Sequence, residues 1–189
     1  MQRAFIVLLS TCVFLSCHSK KEIKKDPFIP VLSLIKGQIA DVDTSLYSIR
    51  RIVFGDSSHN DTTYIPREEF KNAAVDFLNI PDITEPDFAG RYSESSSYDE
   101  NINRAMIVYE PKDPQKEQIQ REEVLINPDG ESGKVSSIII NSIISSKDSL
   151  LEKKLLWQID KSFQATIIRQ KLGQPETTTT YKVIWGEDE

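Results

Sequence analysis

From Phe88 onward the sequence falls into seven runs rich in Ile, Val, Thr, Tyr and Phe, parted by short clusters of Pro, Gly, Asp and Lys. β-branched and aromatic side chains suit a pleated, half-buried surface. Connections such as NPDGESG, SKDS and LGQPE are short enough to join antiparallel neighbours. The runs predict strands over residues 88–95, 103–110, 118–126, 134–144, 151–159, 163–171 and 178–185, a β-meander. Alternation separates their faces. Leu151, Leu155, Trp157 and Ile159 oppose Glu152, Lys154 and Gln158, and Tyr181, Val183 and Trp185 oppose Lys182. The 134–144 run carries Val135, Ile139 and Ile143 on one side and Ile138, Ile140 and Ile144 on the other, which predicts burial on both faces.

The stretch before the meander reads as helical. Leu34, Ile35, Ile39, Val42, Leu46, Ile49 and Val53 recur at spacings of three and four, the period of one helix face, and predict a long amphipathic helix over 30–54 that Gly55 would cap. Pro66 opens a second stripe of Phe70, Ala73, Ala74, Phe77 and Leu78, a helix over 66–78. NIPDITEPD, with two prolines, should be extended and irregular. The expected fold class is therefore α+β: two N-terminal helices, then a curved antiparallel β-meander of about seven strands, with the long helix packed on the sheet. Residues 28–189 form one domain, since 189 residues with 39% hydrophobic content supply one ordinary core.

Charge narrows the partners. Twenty-nine acidic against 23 basic residues give a formal charge of −6, and the cations are scattered among carboxylates except for Lys20, Lys21, Lys24 and Lys25. A phosphate backbone is held by clustered Lys and Arg on one face, so no nucleic-acid partner is expected.

The N-terminus is the most specific motif. Met1 to Arg3 make a short positive region, Ala4 to Leu15 an apolar one, and Ser16 precedes Cys17. Val13-Phe14-Leu15-Ser16-Cys17 resembles the lipobox of bacterial lipoproteins. The resemblance implies that residues 1–16 are a signal peptide, that Cys17 is lipidated, and that residues 17–27 are a tether closed by Pro27. Cys12 is the competing candidate; it would leave the apolar VFLSC on the mature end. With the signal removed, Cys17 is the last cysteine, so neither a disulfide nor a thiolate metal site is expected. Two or three acyl chains make anchoring effectively permanent. His18 stands where an Asp would mark inner-membrane retention, which favours the outer membrane. The lipobox and lysine-rich tether look like those of small lipoproteins from Bacteroidota-type bacteria. That resemblance covers Met1 to about Asp26, implies export and anchoring, and supplies no activity.

Catalytic parts are not found. The two histidines, His18 and His59, fall on the tether and in a polar loop with no partner at helical or strand spacing. Asp56, Ser58 and Asn60 imitate the start of a calcium loop, but Asp61 stands where its Gly belongs and Arg67 where its Glu belongs. No cofactor, metal or catalytic residue is expected. The densest mix of aromatic and charged side chains is Arg91, Tyr92, Glu94, Tyr98, Arg104 and Tyr109; Arg91, Tyr92, Tyr98, Arg104 and Tyr109 are the candidate binding face. Three functions stand at this point. The first is a non-enzymatic, membrane-anchored interaction module for a protein or glycan of the cell envelope. The second is a lipid or lipoprotein carrier, because a curved sheet closed by a long helix resembles periplasmic lipoprotein carriers. The third is a hydrolase built on two carboxylates.

Overall fold

In the computed structural model, residues 28–55, 60–128 and 133–186 are described. Among the described residues nine strands pair in a single antiparallel sheet: β1 (Ile49–Phe54), β2 (Asn60–Ile65), β3 (Tyr92–Asp99), β4 (Arg104–Pro111), β5 (Ile119–Asn127), β6 (Lys134–Ser145), β7 (Ser149–Gln158), β8 (Ser162–Lys171) and β9 (Thr177–Ile184). Their order in space is β2-β1-β9-β8-β7-β6-β5-β4-β3. The sheet is open, with β2 and β3 as its edges. β3 to β9 are the expected meander, each bounded within four residues of its predicted limits. The α+β class holds, with an antiparallel sheet as its main body.

The helical half is corrected. α1 spans Val31–Thr44, not 30–54. It stops at Ser45, whose backbone N–H and hydroxyl both donate to the Val42 carbonyl, at 3.1 and 2.8 Å, while the Thr44 hydroxyl donates to that of Asp41. These bonds satisfy carbonyls that a continuing helix would have used. Leu46, counted on the apolar stripe, is 96% exposed. Ile49 and Val53 belong to β1, which pairs with β9 from Arg50↔Ile184 to Phe54↔Thr180 and turns back through β2. Helical spacing was fortuitous in this stretch, and pairing with the otherwise unpaired side of β9 decided its conformation.

The second expected helix is likewise broken. A 3₁₀ turn at Arg67–Glu69 leads into α2 (Phe70–Ala73), and α3 (Val75–Leu78) follows after Ala74, whose φ of −89° and ψ of 8° interrupt the helix. Its apolar stripe survives the break, for Phe70, Ala74 and Phe77 are all buried. No helix of the described residues is long and apolar enough to cross a membrane.

The helices cover one face of the sheet, here the inner face, and Val31, Ile35, Ile39 and Val42 of α1 join its core. At its centre Trp157 stacks on Phe163 with ring centroids 5.0 Å apart, Phe77 meets Trp157 edge-on at 5.1 Å, and Phe70 meets Trp185 at 5.0 Å. Trp157 and Phe163 are 0% exposed. Burying a large apolar side chain of this kind contributes roughly 2–3 kcal/mol relative to exposure.

The 134–144 run proves one-sided. Ile138, Ile140 and Ser142 of β6 are sealed on the inner face, Ile139 and Ile143 are half-buried on the other, and Ile144 is exposed. A register shift between Leu125 and Ile126 brings Val135 to the core as well. α1 is tied to the β7–β8 turn by the Gln38 amide, which donates to the Asp160 carboxylate at 2.9 Å and accepts from the Asp160 backbone N–H at 2.7 Å. A Cβ on Gly186 would lie 2.0 Å from the Asp160 carbonyl oxygen, so the chain passes this turn only as glycine.

Candidate functional site

The sheet margin formed by β3 and β4 gathers the residues that the sequence singles out. It does not put them on one surface. Paired residues of an antiparallel ladder share a face, and successive residues alternate. The pairs Tyr92↔Pro111, Glu94↔Tyr109 and Tyr98↔Ala105 therefore place Tyr92, Tyr98 and Tyr109 on the inner face. Asp99↔Arg104 puts Arg104 on the outer one. Cys17, His18, Asp56, Ser58 and His59 lie outside the described residues.

Tyr92 and Tyr109 are buried. The Tyr92 hydroxyl reaches past β4 and donates to the Ile119 carbonyl of β5 at 3.2 Å, with Glu117 Oε2 at 3.5 Å. Beside it, Arg91 makes a forked pair with Glu117, Nε to Oε1 at 2.6 Å and Nη2 to Oε2 at 2.8 Å. Its guanidinium also lies 4.8 Å from the centre of the Phe88 ring. Such a bidentate contact fixes orientation as well as distance. Together these contacts hold the start of β3 to the approach of β5. Burial pushes the Tyr92 hydroxyl well above the ordinary phenol range, and the Glu117 carboxylate raises it further while Arg91 pulls the other way.

Tyr109 accepts a hydrogen bond from the Ile29 backbone N–H at 3.0 Å, and its ring sits 4.5 Å from Phe28. The segment entering α1 is thus pinned on β4. Burial pushes the Tyr109 hydroxyl up to about 12, the Ile29 bond opposing and the Glu94 carboxylate adding to the rise.

The sharpest electrostatic feature was not picked out from the sequence. Glu122 of β5, 2% exposed, faces the core between Tyr109 and Ile140, and its Oε1 has no hydrogen-bond partner. Desolvation pushes its carboxyl up to about 8, with the charge of Asp82 as a second cause. Asp82 itself is held in a tight turn, accepting from the Thr84 N–H at 2.9 Å and the Thr84 hydroxyl at 2.6 Å. At neutral pH Glu122 is mostly a neutral acid. Its signal was present in the sequence, since alternation puts Glu122 in phase with Val124 and Ile126, a carboxyl at a core position.

A second buried polar group shows the same kind of signal. Lys153, in phase with Leu151, Leu155 and Trp157, pairs with Asp76 of α3 at 2.9 Å. The Tyr181 hydroxyl donates to the other Asp76 oxygen at 2.9 Å and to the Ala73 carbonyl at 3.1 Å.

The other side of the margin is open. Ser93 to Tyr98 are all exposed, Tyr98 at 53%, and β3 ladders with β4 through eight consecutive pairs with no bulge. Four of its eight residues are serines; none is Pro or Lys. Its far side pairs with no strand among the described residues. The hairpin tip is braced locally: Asn103 takes a φ of 50°, its side-chain oxygen accepts from the Tyr98 hydroxyl, and its carbonyl accepts from Arg104 Nη1 at 2.8 Å.

No protein-family model matches the chain, and no curated protein or solved structure is significantly similar to it.

Proposed function

We propose that this chain is a non-enzymatic interaction module of the cell envelope, anchored through lipid on Cys17, and that it engages a partner protein by adding an extended partner strand to the edge of β3. The observation that carries this reading is the unguarded margin. Sheet edges are ordinarily blunted by Lys, Pro, bulges or short length, because unpaired N–H and C=O groups template further pairing. β3 is eight residues long, regular, and lined by small serines that let another backbone approach. The Arg91–Glu117 fork and the Tyr92 bond brace it from behind, so little ordering remains to be done on docking. Main-chain pairing then supplies affinity, and the neighbours Glu94 and Tyr98 supply selectivity.

A filled core supports a module over a carrier that stores a chain between helix and sheet, since Phe70, Phe77, Trp157 and Phe163 already occupy that space. The hydrolase reading gains nothing from Glu122, whose burial keeps substrate from its carboxyl. Address and docking are tested separately. Cys17→Ala should move the intact chain from the membrane to the soluble fraction, and continued retention there would refute the anchor. A photo-crosslinking side chain at Ser95 should trap one partner of defined mass in living cells, while the same group at Thr180, on the outer sheet face, should not. No adduct at Ser93, Ser95 or Ser97 would refute the edge.

A further inference from the structure

A groove of about 510 Å³ runs between α1 and the Arg67–Leu78 segment and shares no lining residue with the β3 margin. Its floor is apolar, made by Ile39, Phe70 and Leu78. Lys36, Arg67 and Lys71 stand around that floor, and none of them has an ion-pair partner among the described residues. Arg67 adds a second observation: its Nε is shut away from solvent without a hydrogen-bond partner. A buried donor left unmade is costly, and an acceptor brought to the guanidinium stabilises the side chain that carries it. Asp43 and Glu68 also line the groove, so the excess is one positive charge.

We infer that this groove is a binding site for a monomeric, single-chain amphipathic anion of the fatty-acid type, its alkyl chain on Ile39, Phe70 and Leu78 and its carboxylate on Arg67 with Lys36 or Lys71. The chemistry fits on three counts. The volume lies within the roughly 300–1,000 Å³ of small-molecule sites. An apolar floor favours each methylene that it takes out of water. A carboxylate offers the forked acceptor that a guanidinium matches. A short polar anion would leave the floor wet, and an uncharged alcohol would leave the Arg67 guanidinium uncompensated.

The test is calorimetric titration of the full chain with dodecanoate below its micelle concentration, beside dodecanol, acetate and anionic phospholipid vesicles. One molecule of dodecanoate should bind per chain. Dodecanol should bind about tenfold or more weakly, and acetate not measurably, since a charge-assisted hydrogen bond is roughly twice as strong as a neutral one. Ala40 is an exposed α1 residue lining the groove, so Ala40→Trp should fill the site without disturbing the core and abolish binding. Arg67→Gln should weaken dodecanoate about tenfold and leave dodecanol unchanged, with circular dichroism confirming that both variants are folded. Binding that ignores Ala40→Trp, equal affinity for dodecanol, uptake of many molecules per chain, or binding to vesicles in place of the monomer would each overturn the assignment.

Discussion

Glu122 of β5 stands directly across from Tyr109 of β4, the residue that pins the chain entering α1. A carboxyl with an unsatisfied oxygen is therefore placed one strand from the anchor of the N-terminal segment, with Asp82 as its charged neighbour.

The first prediction follows from the sign of that shift. The Glu122 carboxyl is held up to about 8 in the folded chain against an ordinary 4.5, so the folded state retains a proton that the unfolded state has released. Stability should be greatest below the ordinary value and fall as pH rises from there towards 8. At pH 7 the penalty is roughly 3 kcal/mol. Glu122→Gln should raise stability at pH 7 by up to that amount and flatten the pH profile. Urea unfolding followed by tryptophan fluorescence from pH 4.5 to 8.5 reads this out, and an unchanged slope in the variant would contradict it.

The Lys153–Asp76 pair should respond asymmetrically to its two deletions. Lys153 has a side chain only 9% exposed, and Asp76 is its one ion-pair partner among the described residues. Asp76→Ala strands a buried ammonium, while the Tyr181 hydroxyl keeps the Ala73 carbonyl, and should destabilise by about 3–5 kcal/mol. Lys153→Met leaves Asp76 its Tyr181 bond and greater access to water. Its cost should be smaller by about 1 kcal/mol or more. Equal losses in denaturant midpoint at constant m would show that burial of Lys153 is not what matters.

Gly37 offers the opposite kind of change. It is exposed in the middle of α1, and a Cβ there would meet nothing within 4 Å. Gly37→Ala should therefore stabilise the fold by about 0.5–1 kcal/mol, through lower unfolded-state entropy and better helix propensity. A rise of a few degrees in melting temperature is the expected readout. A fall would contradict the open space around that position.

How much of this was legible follows from what each signal depends on. The meander could be read because two-residue alternation and turn chemistry are local, and Leu155, Trp157, Tyr181 and Val183 lie where alternation puts them. β1 could not, because Ile49 and Val53 continue a helical spacing by chance, and the partner that makes them a strand is β9, seven strands further along the sequence than β2. The stripe of Phe70, Ala74 and Phe77 was visible, but not the break at Ala74. For the margin, sequence brought out the aromatic and cationic residues, yet alternation alone does not say that Tyr109 is sealed against Phe28 and Tyr92 against Phe88. Glu122 and Lys153 were readable as polar residues in apolar phase. Only the packed structure shows that one is left unpartnered and the other neutralised.

The pairing of Arg51 with Val183 has a temporal consequence. The hairpin that completes one flank of the sheet is synthesised before β3 to β8, but its docking surface, β9, only after them. Closing so long a loop is entropically slow, and little local contact rewards it beforehand. A nascent chain must therefore hold its first two strands in waiting until the final one arrives. Truncation before Thr177 would leave that hairpin with nowhere to dock.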